Sequence, residues 1–428
     1  MNHAPAILTR TVCTRKALRC LNTIADSGAS DAAISETRRF ISALGTSPQT
    51  YARSTSALLD GVLSYLDSGS EDRKSALPGG FPGIPLDLMH RAAAACCERD
   101  RMKPGEIVLS FAGDCMFGAV NGDSSAVRFP SIYRKSGRPD YPFALVRPWF
   151  ENDDLTVVNY EGTLTKADRT ADKQWKFKGA HEYAAILPAG SVEVAGLSNN
   201  HSFDYLDRGF RDTVAAFHDA HVGVFYQNSP LITRLKGVET ILIGDCSVVG
   251  ENTTVTDGVA ERVLEQIRRF KRADNIVIVV MHWGSELDTV PTRWQQETGR
   301  KFIDAGADAV IGAHPHVLQG MESYKGKPIA YSLGNFAFGG NFLARYPETI
   351  VLRLQFPVSS GRIGPAHTSI VPCHITSSKE RNESGVVRNN YQPTPLFGKE
   401  ADQTADLLLE RSAVLQHGVS RIHYFNPR

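Results

Sequence analysis

Residues 105–375 read as a layered α/β domain, and three observations carry that reading. Short apolar runs alternate with amphipathic helical patterns, as in sheets covered by helices. The runs end repeatedly in Asp, Glu, Asn or His rather than in ordinary turn residues. The composition, 42% hydrophobic and 22% charged over 428 residues, leaves ample apolar surface for a large core.

The same composition excludes several classes. Lys plus Arg is 47 against 46 for Asp plus Glu, a formal charge of +1. A dedicated nucleic-acid binder usually has a strong basic excess, so no nucleic-acid partner is expected. Arg10, Arg15, Lys16 and Arg19 interrupt every apolar run near the start. Neither a secretory signal nor a membrane anchor is expected, which points to the cytoplasm. The seven cysteines lack paired-motif spacing, as reduced thiols would.

Residues 1–104 form a separate α-helical extension in this reading. Leu58, Leu59, Val62, Leu63 and Leu66 recur at helical spacing behind the cap and first turn Ser47-Pro48. The segments 31–44 and 86–97 read the same way. No chemical cluster occurs here, so packing, self-association or docking of a protein partner is the expected role.

From Glu106 the texture changes. Ile107 to Ala112 is an apolar run ending in Gly113-Asp114. Leu155 to Val158 ends in Asn159-Tyr160-Glu161-Gly162. Val192 to Leu197 ends in Ser198-Asn199-Asn200-His201. Ile276 to Met281 ends in His282-Trp283-Gly284, and Ala309 to Ile311 leads to His314 and His316. Helical patterns lie between them over 206–220, 259–273 and 292–305. Strands are expected again over 329–333 and 349–356. Residues 376–428 turn polar and read as a peripheral tail with a helix near 401–415.

Strand ends on one edge of a sheet lie close in space, so their residues can converge. In His314-Pro315-His316 the two imidazoles can aim at one point, and Pro315 biases His314 towards an extended backbone. Asp114, Glu161, Asn200, His282, His314 and His316 together offer mixed nitrogen and oxygen ligands. That set suits Mn, Fe or Zn better than a soft thiolate site. Taken singly, each has a plain structural alternative as a turn, cap or core residue. Cys115 alternates away from Asp114 and reads as a core residue. Lys176, Lys178 and Arg345 could pair with anionic groups, and Trp175, Trp283 and Phe336 could line a pocket or pack the core.

Six motifs in order carry a family resemblance: Gly113-Asp114-Cys115-Met116, Asn159-Tyr160-Glu161-Gly162, Leu197 to Asp204, His282 to Glu286, Gly312 to Gly320, and Tyr331 to Phe338. They resemble the CapA family of bacterial poly-γ-glutamate capsule biosynthesis proteins over roughly residues 106 to 375. The resemblance implies a metallophosphoesterase-like two-sheet β-sandwich flanked by helices, with one or two divalent ions at the strand ends. By that likeness Asp114, Glu161, Asn200, His282, His314 and His316 are the metal ligands. Met116 stands where metallophosphoesterases carry another histidine, so Glu286 or Asn335 is a candidate substitute. His201 is implied as the acid, with Asp204 orienting it and Glu286 as base or supporting residue. Asn159, Lys178 and Asn335 are expected at the substrate. The implied reaction is metal-assisted hydrolysis of a phosphoester or a γ-glutamyl amide, on a small-molecule or polyglutamate-like substrate. The alternative is an accessory protein of polymer or natural-product biosynthesis with a vestigial site.

Overall fold

A computed structural model describes residues 105–249, 253–359 and 362–424. The expected helical extension over 1–104 lies outside them. Residues from 107 onward group together as one unit.

The chain builds two large sheets in turn, beside two small ones. The first opens with β1 (Glu106–Met116), β2 (Leu155–Tyr160) and β3 (Val194–Gly196). Helix α1 (Leu206–Asp219) then leads to β4 (Gly223–Phe225). These four strands are parallel neighbours in that order. The second sheet takes β5 (Leu231–Leu235) and β6 (Val238–Cys246), then α2 (Val259–Phe270) and β7 (Asn275–His282). It continues with α3 (Arg293–Asp304), β8 (Ala309–Ala313), β9 (Met321–Tyr324) and β10 (Lys327–Ala330). Its spatial order is β9-β10-β8-β7-β6-β5, with β6, β7, β8 and β10 parallel. The chain then returns to the first sheet. There β11 (Asn335–Phe338) pairs with the end of β1, and β12 (Glu348–Ser359) and β13 (His367–His374) widen the sheet.

Strands buried on both faces read as continuous apolar runs, and β2 and β7 are buried throughout. Alternation still separates their faces. Ala112, Cys115, Val158 and Tyr160 pack outward into one cluster with Phe217 of α1. Val277, Val279 and Met281 pack outward into another with Val263 and Ile267 of α2 and Phe302 of α3. The intervening residues, Asp114, Asn159 and His282 among them, occupy the opposite faces. There the two sheets meet through Asn159 Nδ2 and His282 Nδ1, 3.3 Å apart. The expected two-sheet α/β sandwich with flanking helices is the observed layering, and Cys115 is the core residue that alternation implies.

Helix boundaries fall close to expectation. Helix α3 starts where Thr292 and Gln295 form a reciprocal capping box. The helix expected near 401–415 is present, and the segment after residue 376 packs on the domain. Helix α4 (Gly398–Ala413) buries Ala401, Ala405 and Leu408, while Thr394–Pro395 and His423–Tyr424 both pair with β13. That packing was not readable in sequence, because the segment adds to an existing sheet rather than forming its own core.

Candidate metal centre

In-register pairing gathers the first polar row. Asp114 stands opposite Asn159 of β2 and Asn335 of β11, with an irregularity in β1 between Ala112 and Asp114. That irregularity lets the backbone of residues 333–335 approach closely. The Asp114 amide donates to Gly334 O at 2.9 Å. A Cβ on Gly113 would lie 1.9 Å from that same oxygen, so only glycine fits. The second sheet contributes His282 at the end of β7, level with Ala313 of β8. The chain then turns sharply: His314 has φ 97° and His316 φ 58°. The extended backbone expected at His314 is therefore replaced by positive φ, a strained choice for a side-chain-bearing residue. The His314 amide is within 3.3 Å of Asp114 Oδ2, which helps hold the turn.

Glu161 occupies the centre. Its amide donates to Cys115 O, which aims the side chain across the gap between sheets. The Nε2 atoms of His201, His282 and His316 each lie 3.8 Å from Glu161 Oε1. Both Glu161 carboxylate oxygens are buried and hydrogen-bonded to nothing, as is His314 Nε2. Burial pushes the Glu161 carboxyl up to about 8. Burial, with His316 next to it, pushes His314 down to about 3. At His316 burial opposes the charged form, but Glu161 and Asp114 outweigh it and hold the imidazole up at about 10.

Orphaned buried polar atoms are costly and rare unless something absent from the protein satisfies them. Around Glu161 the imidazole nitrogens converge at 3.8 Å, too long for hydrogen bonds and suited to a shared cation. Ligand atoms of Asp114, Glu161 and His316 lie within 4.8 Å of one another, as do those of Glu161, His282 and His314. A third group joins Glu286, His314 and His316. Asn200 Oδ1 reaches His282 Nε2 at 2.8 Å. The mixed nitrogen and oxygen donors fit a divalent ion, or two ions sharing Glu161.

His201 sits at the edge of this cluster in a built cradle. Its Nδ1 lies 2.7 Å from Asp204 Oδ2, and Phe177 stacks on the ring at 3.8 Å between centroids. Asp204 is also bonded by Lys173 Nζ at 2.7 Å and the Phe177 amide at 2.7 Å. The imidazole is thus turned so that Nε2 faces Glu161. Asn335 Oδ1 is 2.9 Å from His316 Nδ1 and fixes that ring in the same way.

A cleft of about 410 Å³ opens above the cluster, with His201, His316 and Asn335 on its floor and Glu286 at its rim. Trp175, Phe342, Arg345 and Tyr346 stand on its walls.

The family match covers residues 108–340, more than half the chain, and is described as bacterial capsule synthesis protein PGA_cap. The chain belongs to that family. It is 32% identical over 248 residues to the PGA biosynthesis protein CapA of Bacillus subtilis, covering 54% of this chain and 65% of that one. That is just under two thirds of the relative's length. It is 29% identical over 314 residues to the capsule biosynthesis protein CapA of Bacillus anthracis, covering 67% and 71%. A solved structure described as a novel phosphatase from Mycoplasma pneumoniae aligns at TM-score 0.35 and 16% identity, covering 67% of this chain and 96% of that one.

In this PGA_cap member the expected ligand residues all converge, whereas the expected substrate residues divide. Asn159 is buried and spends its amide on Asp114 Oδ1 at 2.8 Å and on the contact with His282, beneath the cleft. Lys178 points away, donating to Ala167 O at 2.6 Å with its ammonium over Tyr205. Asn335 does reach the cleft. Glu286 is exposed at the rim, and Asp204 acts on His201 rather than on the cleft. Trp283 and Phe336 are core, while Trp175 lines the wall. Sequence reasoning missed Asn199, whose side chain joins Asn159 Oδ1 to Tyr160 O. It also missed Lys173 and Phe177, which come from an irregular loop and a short strand with no motif to mark them. Among the described residues no helix is long and apolar enough to cross a membrane.

Proposed function

We propose that this capsule-synthesis family member is a metal-dependent hydrolase of a phosphoester or of an amide such as a γ-glutamyl linkage. The observation that carries the reading is the buried, unpartnered carboxylate of Glu161 ringed by imidazole nitrogens. Asp114, Glu161 and His316 would hold one ion; Glu161, His282, His314 and Asn200 would hold another. Mn, Fe and Zn all match these donors. Such an ion, when bound, supplies Lewis acidity and a nucleophile available at neutral pH.

The chain's own residues supply the rest. Asp204 accepts the Nδ1 proton of His201, which leaves Nε2 aimed at the cluster to hold or pass a proton to a leaving group. Phe177 on one ring face excludes water from that side and restricts the ring's tilt. Glu286 stands beside His314 and His316 at the rim, placed to take a proton from a group entering the cleft. Asn159, Asn199 and Asn335 hold the ligands in register with neutral amides, adding no charge to an already crowded site.

Metal analysis of purified wild-type protein beside His316→Ala tests the reading. Near-stoichiometric Mn, Fe or Zn in the wild type, lost in the variant, supports it, and phosphoester and γ-glutamyl amide panels then identify the bond. A wild type that stays metal-free after reconstitution with each ion sinks it in favour of a non-catalytic accessory role.

A further inference from the structure

The walls of the cleft differ from the rest of the surface. Trp175, Leu287, Phe342 and Tyr346 all line it, and each is between 38% and 53% exposed. Among the described residues five Phe, Trp or Tyr side chains are exposed, and three of them stand here. Exposed apolar side chains scattered singly need no explanation, but a cluster on one concave surface marks a place where something binds. The apolar surface continues down to the floor. Phe177 stacks on His201, and Phe338 lies 4.9 Å from His316 between ring centroids. Those two phenylalanines meet edge to face at 5.7 Å.

Each of the four wall residues stands on structure that the fold holds in place. Leu287 has φ 63°, a costly conformation for a bulky residue, and its amide donates to Pro315 O at 2.8 Å. On either side of Trp175, Asn121 Nδ2 donates to Gln174 O at 2.9 Å and the Lys176 amide donates to Asn121 Oδ1 at 3.0 Å. The Arg128 guanidinium lies 4.6 Å over the Phe342 ring and is itself held by Asp123 at 2.6 Å. Near Tyr346, Ala344 N donates to Val387 O and Ile375 N to Pro347 O, each at 2.9 Å. Folding gains little from presenting four apolar side chains to water on a backbone fixed in this way. A ligand does gain, because an already ordered surface loses little conformational entropy on binding.

We infer that this mouth is an apolar subsite, and that the substrate carries a ring-sized, uncharged apolar group beside the reacting bond. The inference rests on the hydrolase reading for where that bond lies, and not for the binding of the apolar group. The reacting end of the substrate sits over His201 and His316, and the apolar group lies against Trp175, Leu287, Phe342 and Tyr346. Burying it takes apolar surface of both partners out of water, so the cleft discriminates among substrates with the same reacting bond by what flanks it. A uniform polycarboxylate would leave the four side chains in water and lay its charges against carbon.

Calorimetric titration of the full chain with phenylphosphonate and with methylphosphonate tests the subsite, since the two share a headgroup and differ in the apolar group. Metal content is measured in parallel. Wild type should bind phenylphosphonate about tenfold more tightly, or better, a modest return for burying a ring. In Trp175→Ser/Tyr346→Ser that preference should fall to about threefold or less, with methylphosphonate affinity and metal content at wild-type values. Should the double variant melt lower than wild type, Leu287→Asn gives the same comparison, because asparagine tolerates positive φ. Equal affinity of wild type for the two phosphonates overturns the subsite, as does a preference that both variants keep, or a wild type that binds neither. A metal-free wild type that shows the preference, lost in the variants, leaves the subsite standing and removes only the hydrolase reading.

Discussion

Glu161 is a carboxylate where folding energetics alone argue against one. An unpaired charge taken out of water costs several kcal/mol unless something pairs with it. Both of its oxygens are buried and without hydrogen bonds. Glu161→Gln should therefore lose the bound ion, yet its metal-free form should melt no lower than metal-free wild type. Melting curves with and without chelator check this; a metal-free variant clearly less stable than its parent would assign Glu161 a structural role instead. Asp204→Asn tests a different part of the site. The amide can no longer accept the Nδ1 proton as a charged partner, so His201 loses its fixed orientation. Hydrolysis should fall by about 10–100-fold, the usual effect of a residue supporting a catalytic or ligand group, with metal content unchanged. Loss of metal together with activity would count against a role confined to His201. At this scale the residues that converge on Glu161 were legible because each follows an apolar run. Lys173, Phe177 and Asn199 were not, since their roles come only from what the folded chain places beside them.

The strands explain why certain residues are fixed. Gly113 and Gly334 belong to motifs more than two hundred residues apart, yet they meet where β1 lies against the chain entering β11. Gly113→Ala should destabilise the protein by about 1–3 kcal/mol, the typical cost of overpacking, and more if β1 cannot shift. Chemical denaturation measures it, and an unchanged midpoint would mean that the backbones can separate freely. Helix α3 and β9 are joined by Arg300 and Glu322, whose Nη2 and Oε1 lie 2.5 Å apart, with Tyr331 Oη on the other oxygen at 2.9 Å. Burial works against the Glu322 charge, but Arg300 outweighs it and holds the carboxyl below its usual range. A depressed folded value means stability that is present above the unfolded value and lost as pH falls through the folded one. Wild type should thus lose stability on acidification from about pH 5 more steeply than Glu322→Gln. At neutral pH the variant should be about 1.5–3 kcal/mol less stable, the range for a bond to a charged group. Parallel acid profiles would remove the pair as the cause. The strands with polar ends and the main helices were readable from periodicity. Strand β6, next to the edge of the second sheet, went unread although Ile241 to Gly244 also runs into Asp245; in the folded chain that carboxylate is spent on Arg262 rather than on the cluster. Strand β13 escaped because its solvent-facing start dilutes the apolar signal that marks a buried strand.

Over the whole domain, the candidate centre is where the two sheets are joined. Asp114, Glu161 and Asn335 come from the first sheet, and His282, His314 and His316 lie on or directly after strands of the second. An ion held by both sets acts as a cross-link between sheets. It binds the folded chain and not the unfolded one, so it stabilises by mass action, about 2.7 kcal/mol at a hundredfold excess over Kd. For a domain of this size that corresponds to roughly 5 °C in Tm, at about 2 °C per kcal/mol. Chelation should lower Tm by that order in wild type and leave His316→Ala unmoved. The local signature is sharper than the global one. Amide exchange should quicken at the carboxyl ends of β1, β7 and β8, where the orphaned groups lose their shared partner. It should stay slow at the opposite ends, around Leu109, Leu155 and Ile276, which are buried in apolar surroundings and owe nothing to the ion. Uniform quickening along the strands would instead mean that the ion sets the stability of the whole fold. No change at either end, with no shift in Tm, would mean that no ion joins the sheets.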